Sequence, residues 1–227
     1  MSISIRGLTK KFYGSVSESN IILEDINLDI RSGDILSIIG SNGAGKTTLL
    51  NIIADRLTYD EGTIDYNSFA SNSVSIVSSN DRSFFWNLSV KQNLNFFSPG
   101  FYENKEAAEL IKTFDLNKRI NSKYSSLSSG EKKKLMICRS IIAGAKVLIL
   151  DEFTNSLDHA TKNTTYELIK KLIKNNIIKI VIFVTHDIYE VVSLATRCAV
   201  LSDGLVSEDI VIDSDTDYLD IKRLMEC

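Results

Sequence analysis

The chain has 227 residues, 44% of them hydrophobic and 24% charged, with a net charge of -3 and a mean hydropathy of +0.01, the mix of a globular protein that can bury a large core without disulfides. A pI near 5.5 argues against an electrostatic grip on nucleic acid or anionic lipid as the main activity. Apolar runs stop well short of the roughly 20 residues that cross a bilayer, and Cys138, Cys198 and Cys227, scattered and with no leader-like N-terminus, fit a reducing, cytosolic setting and no metal spacing.

Residues Ile3 to Lys10 and Ile22 to Ile30 alternate apolar and polar side chains, which predicts two half-buried antiparallel strands around a polar stretch, Gly14 to Asn20. After the Ser32-Gly33-Asp34 turn, Ile35 to Ile39 reads as a strand buried on both faces, and it runs directly into glycines. From Lys46 to Leu57 the apolar residues Leu49, Leu50, Ile53 and Leu57 recur at helical spacing. Gly62 to Asp65 and Val74 to Val77 predict two short strands, and helical patterns dominate from about Val90 to Gly144, with a loop at Pro99-Gly100. Parallel α/β then resumes: strands at Val147 to Leu150 and Ile180 to Val184 flank a helix with Leu168, Ile169, Leu172 and Ile173 on one face. Cys198 to Leu201 followed by Asp203-Gly204 predicts a hairpin, and Tyr218 to Glu226 a closing helix.

The loop between the buried strand and the first helix, Gly40-Ser41-Asn42-Gly43-Ala44-Gly45-Lys46-Thr47-Thr48, matches GxxxxGK[ST]. Its glycines let backbone N–H groups close around a phosphate, the helix N-terminus adds a favourable dipole, Lys46 reaches the β and γ phosphates, and Thr47 offers a hydroxyl to Mg²⁺. Val147 to Glu152, VLILDE, is an apolar strand ending in two carboxylates: Asp151 to hold Mg²⁺ through water, Glu152 to orient and deprotonate an attacking water. Taken alone, that pair would equally suit two solvated loop carboxylates. Both motifs suit any P-loop NTPase, small-molecule kinases included.

A third segment decides among these. Leu127-Ser128-Ser129-Gly130-Glu131 opens a helix about twenty residues before VLILDE, and with it the chain resembles the ATP-binding cassette (ABC) family, whose signature is usually written LSGGQ. Ser129 replaces the first Gly and Glu131 the Gln; Ser128 alone would serve equally well as a plain helix N-cap. The likeness covers nearly the whole chain: Ser156-Leu157-Asp158, after Asn155, looks like the D-loop, His186 in Val184-Thr185-His186-Asp187 like the switch histidine, and Phe12, with Tyr13 beside it, like the ring that stacks on adenine. Three positions depart from the pattern: Phe153 stands where Pro is usual after the catalytic Glu, Ser41 where Pro often precedes Asn, and Ser79 where the Q-loop has Gln. Around that loop Phe84, Phe85 and Trp86 suit a core cluster or a partner-binding surface about equally, and we expect Asn80 or Asp81 to take over the sensing contact. The Lys132-Lys133-Lys134 run and the acidic tail read as solvated surface.

The resemblance implies an α/β fold, a P-loop NTPase core with an antiparallel β subdomain and a helical signature subdomain. We expect one ABC ATPase domain over 1–227, with the helical subdomain, about 90–144, inserted in the core. It further implies ATP and Mg²⁺ as cofactors, and ATP hydrolysis with Glu152, His186 and Lys46 as catalytic residues. Pairing would be with a second copy or another ATPase subunit, the signature meeting the partner's ATP. The expected place is the cytoplasm, peripheral to the inner face of the membrane, on a separate transmembrane permease subunit and not on nucleic acid. NDRSFFWNL followed by NLNFF resembles exporter Q-loop regions more than importer ones, so export is the expected direction. The competing expectation is a soluble ABC ATPase with a non-transport task.

Overall fold

The computed structural model describes residues 1–13, 19–78, 83–100, 105–155, 157–213, 215–216 and 218–226. Two sheets and seven helices are present among these residues, in the order β1 (Ser2–Tyr13), β2 (Ser19–Arg31), β3 (Ile35–Ile39), α1 (Lys46–Ile53), β4 (Glu61–Asp65), β5 (Val74–Ser78), α2 (Val90–Phe97), α3 (Lys105–Thr113), α4 (Ser129–Ile142), β6 (Val147–Asp151), α5 (His159–Lys174), β7 (Ile180–Val184), α6 (Ile188–Leu194), β8 (Arg197–Ser202), β9 (Leu205–Val211) and α7 (Tyr218–Glu226).

The alternating N-terminal segments pair as the period-2 pattern requires. β1 and β2 form an antiparallel ladder with irregularities near Gly7 and Asp25, and β4 joins the free edge of β1 to give the order β2-β1-β4. The second sheet has the order β5-β6-β7-β3-β8-β9, parallel except for β9, which returns along β8 through Asp203-Gly204. Both turn residues have positive φ, +48° and +78°, as a two-residue hairpin turn of this hand demands.

All five residues of β3 and of β7 are buried, so the continuous apolar runs mark strands covered on both faces. Side chains alternate between two cores. Leu148, Leu150, Val181 and Phe183 point into one, with Leu94, Leu110, Met136, Ile169, Val191 and Ile221 from the helices. Val147, Ile149, Ile180 and Ile182 point into the other, with Leu49, Leu50, Ile52 and Ile53 of α1 and Ile3, Ile5, Leu23 and Ile26 of the antiparallel sheet. The larger sheet is thus a middle layer, with α1 and the small sheet on one side and the other helices on the opposite side.

Two expectations change, for α1 and for the basic run, and one between them holds. α1 ends at Ile53, four residues before Leu57, because Ala54 leaves the helical region and Asp55 turns left-handed at φ +56°. The stretch from Val90 to Gly144 divides into α2, α3 and α4, with Pro99-Gly100 in a turn after α2 as expected. The basic run is not a solvated face: Lys133 is only 4% exposed and Lys132 lies over the rings of Trp86 and Tyr124, 5.0 and 5.4 Å from their centroids. Three consecutive residues span most of a helical turn, so a run on a helix packed along one side turns at least one of them inward, and here aromatic faces receive the cations.

Candidate functional site

The C-terminal ends of β3, β7 and β6 lie side by side, since β7 pairs with β3 on one edge and with β6 on the other. Ligands of open α/β sheets bind at that edge. Beyond β3 the chain turns through Gly40 into α1. A Cβ on Gly40 would overlap the Leu201 carbonyl oxygen at the end of β8, and the residue has φ +151°, so glycine alone fits this close passage. We therefore expect Gly40→Ala to lose about 2–4 kcal/mol of stability, through overpacking and strain together; a urea midpoint unchanged from the parent would contradict this.

Gly45, the N-cap of α1 at φ +97°, supplies no side chain to the helix start, and the first turn holds no acidic residue. The N–H groups there are therefore free to meet an anion, with the helix dipole in the same sense. Lys46, the first residue of α1, is buried, and its ammonium donates to the carbonyls of Gly40 and Ser41, both at 2.8 Å. Burial lowers the pKa of Lys46, opposed by the negative charges of Glu152 and Asp151. Asp151 closes β6 and is paired in register with Val184 of β7 and Ser78 of β5. Burial, then the neighbouring Glu152, push its carboxyl above the usual range, while Lys46 pulls it down. Against burial, the charged form of Lys46 is favoured by Glu152 and then by Asp151, and that of Asp151 by Lys46.

One cavity of about 390 Å³ gathers Phe12, Asn42, Gly43, Gly45, Lys46, Thr47, Thr48, Asp151, Glu152 and His186. Gly40, Ser41 and Ala44 support it from behind, Ala44 buried in the core and the other two through the carbonyls that hold Lys46. Phe12 is partly exposed with Lys10 5.4 Å from its ring centroid, whereas Tyr13 is absent from the lining. A larger cavity of about 570 Å³, between Pro99, Leu110, Ile142 and Ile177, contains none of the predicted residues and no phosphate-type loop. The smaller one is the chemically furnished site.

Glu152 has φ +44°, a left-handed conformation uncommon outside glycine, asparagine and aspartate. Its Oε1 lies 3.7 Å from His186 Nε2, and its Oε2 accepts from Asn155 Nδ2 at 3.2 Å. Two groups missed by the sequence reading, one buried and one half-buried, hold the turns on either side. Glu190 is nearly inaccessible and accepts from Thr154 Oγ1 at 2.9 Å; burial raises its pKa, against the hydrogen bonds of Thr185 and Thr154. It thereby ties the turn after Glu152 to the turn carrying His186. Its sequence signal is faint, a carboxylate four residues after His186 on the inward face of α6. Lys162 pairs with Asp187 at 2.7 Å and braces the same turn from α5.

The signature residues lie outside the cavity. Ser128 caps α4, accepting from Glu131 N at 3.2 Å while Glu131 Oε2 accepts from Ser128 N at 2.8 Å, a reciprocal capping box. Arg119 adds an ion pair to Glu131 at 2.7 Å, and these hydrogen bonds hold the Glu131 carboxyl below its usual range despite burial. Glu131 thus has a local reason to stand where Gln was expected. A Cβ on Gly130 would come 2.6 Å from the methyl of Thr161, so α4 and α5 meet closely there. Leu127 is buried, Ser128 and Ser129 are exposed, and Ser128 remains able to donate its hydroxyl proton outward. Of the D-loop residues, Ser156 lies outside the described residues, Leu157 is buried, and Asp158 caps α5 by accepting from Thr161 N at 3.0 Å.

Ser79, Asn80 and Asp81 also lie outside the described residues. Beyond them the aromatic residues divide. Phe84 is buried and stacked on Tyr124 at 4.8 Å, whereas Phe85, Trp86 and Phe96 are exposed. Asn93, wholly buried, fixes that arrangement: its Oδ1 accepts from Phe85 N at 2.8 Å and its Nδ2 donates to the carbonyls of Phe85, Leu88 and Ser89.

The ABC transporter family model matches residues 23–155. A tyrosine transport ATP-binding protein of Clostridioides difficile is 31% identical over 99% of this chain and 97% of its own length. A methionine import ATP-binding protein of Clostridium acetobutylicum is 33% identical, covering 91% of this chain and 68% of that protein. A bacterial ABC transporter cassette solved in dimeric form superimposes with a TM-score of 0.73 at 25% identity, covering 93% of this chain and 99% of that one. No helix among the described residues is long and apolar enough to cross a membrane. With a phosphate-type loop and two carboxylates meeting at one sheet edge, and this kinship over nearly its full length, the chain belongs to the ABC transporter family, as an ATP-binding protein that hydrolyses ATP.

Proposed function

We propose that the chain powers transport through a separate membrane subunit by binding ATP between two cassettes. The carrying observation is that Lys46, Asp151, Glu152 and His186 converge on one cavity, while Ser128 and Ser129 lie exposed outside it. Half of a composite site is thus furnished by one chain, and the other half by a second copy or a paired ATPase subunit. Residues 1–227 act as a single ABC ATPase domain, with the helical subdomain at about 90–144 inserted in the core.

In this reading Phe12 stacks on adenine, the loop Gly40 to Thr48 holds the phosphates, and Thr47 and Asp151 hold Mg²⁺. The hard oxygen donors of the last two suit that ion, which when bound would neutralise phosphate charge. Glu152 takes the proton of the attacking water, His186 orients the reacting group beside it, and Leu127 to Glu131 with the D-loop residues Ser156, Leu157 and Asp158 face the partner's nucleotide. In the same reading the exposed Phe85 and Trp86, held by Asn93, form part of the surface toward the membrane subunit, and the chain works at the cytoplasmic face of the membrane. For direction we propose import in place of the expected export, because the named relative whose direction is stated is an import protein.

Ser128→Arg tests the composite site. It should abolish hydrolysis and leave ATP binding by the same chain intact, while Ser128→Ala, which removes the cap, should cost about 1 kcal/mol of stability. Normal turnover by Ser128→Arg would remove the signature assignment. Co-purification with a multi-span membrane protein tests the transport role, and its consistent absence from native membranes would favour the soluble alternative.

A further inference from the structure

Lys133 has a buried ammonium for which the structure shows no hydrogen-bond acceptor among the described residues. Removing a lone ammonium from water costs several kcal/mol, and burial accordingly lowers its pKa. What the ammonium meets is the ring of Phe153, 4.7 Å from the centroid. A cation over a ring face recovers only part of that cost. Nothing in the packing of α4 requires an amine at this position, since its inward neighbours Leu135, Met136 and Ile137 are apolar.

The ring it covers belongs to the residue after Glu152. Glu152 adopts φ +44°, a strained conformation for a residue with a Cβ that persists only if its surroundings hold it. A proline after it would restrict both its own φ and the residue before it, but Phe153 does neither. The turn is therefore held from outside the local chain. On the Thr154 side the hydrogen bond to Glu190 holds it, and on the Phe153 side the ring lies 2% exposed between the core and Lys133.

We infer that Lys133 is a positioning residue: its contact with Phe153 locks the turn that aims the Glu152 carboxylate at the attacking water, and links that turn to the helix carrying the signature. This rests on Glu152 being the base, as proposed above. Because Ser128 caps α4, any shift of that helix on meeting a partner's nucleotide reaches Glu152 through one side chain and one ring.

The test compares Lys133→Met, Lys133→Arg, Phe153→Leu and the double variant Lys133→Met/Phe153→Leu with the parent chain. Melting temperature and ATP affinity are measured beside kcat. Lys133→Met should lower kcat about tenfold, as expected for a misdirected catalytic group, with KM and ATP affinity unchanged. Lys133→Arg, which keeps a cation over the ring, should retain at least half of kcat. In the Phe153→Leu background, Lys133→Met should have little further effect. A second reading needs no turnover: the imidazole NMR signal of His186, one of only two histidines, should move in nucleotide-free Lys133→Met and stay in place in Lys133→Arg, since Glu152 lies 3.7 Å away. Unchanged kcat and His186 signal in Lys133→Met, or an equal loss of kcat from Lys133→Met with and without Phe153, would overturn the inference. Should Lys133→Met not fold, Phe153→Leu must lower kcat and Lys133→Arg must preserve it, and the reverse of either overturns it. Glu152→Gln run alongside separates the two levels: normal turnover there defeats the base assignment, while the His186 signal still reports whether Lys133 orients the turn.

Discussion

Replacing Lys46 with alanine should reduce ATP turnover by about a thousandfold or more, the scale on which a preorganised charge at a reacting phosphate acts. Among the described residues Lys46 alone brings a side-chain cation to the cavity lining. The same ammonium bonds to the Gly40 and Ser41 carbonyls, so its loss also loosens the loop that presents backbone N–H groups. Two such bonds contribute about 1–3 kcal/mol between them, and the variant should melt a few degrees lower while remaining folded. Nucleotide affinity should fall together with turnover. Circular dichroism and binding of a fluorescent nucleotide analogue separate the two effects, and a variant that is folded and hydrolyses ATP at close to the parent rate would refute the P-loop assignment.

Glu152→Gln should leave ATP binding intact and slow hydrolysis by about 10²–10⁴-fold, the usual contribution of a positioned general base. The amide keeps the volume of the carboxylate and can still accept from Asn155 Nδ2, so the left-handed turn between Asp151 and Phe153 has no reason to rearrange. It cannot take a proton. ATP should then persist between two copies, and light scattering of the variant with ATP and Mg²⁺ should show a dimer that the parent forms only transiently. A monomer under conditions of confirmed binding would count against the shared site.

Most of the residues that line the cavity were legible because they sit where strand ends and glycines fix the backbone. β3, the loop to Lys46 and the Asp151-Glu152 strand end each announce themselves within ten residues, and register then brings them together without further information. The supports of the site were not legible. Glu190, Asn93 and Lys133 act by being buried against segments distant in sequence, and a polar residue on a helix gives no local sign that its neighbours will enclose it. The basic run shows the same limit: three consecutive lysines read as solvent-facing until the rings of Trp86 and Phe153 are placed beside two of them. Ser128 was legible as a cap and as a signature at once, and the structure shows the cap directly.

The place of β3 in the middle of its sheet also has a consequence for biosynthesis. Its partners are not the strands next made but β7 and β8, at residues 180–184 and 197–202. While the ribosome adds the intervening chain at about 5–20 residues per second, five apolar-flanked positions of β3 wait roughly ten to thirty seconds without either edge covered. Pairing over such separations is slow even after release. The nascent phosphate loop is therefore not anchored until nearly the whole chain has emerged, and ATP can select only completed molecules. Chaperone dependence should concentrate in that interval, when Ile35 to Ile39 offers a newly made, unpaired strand to any other chain nearby.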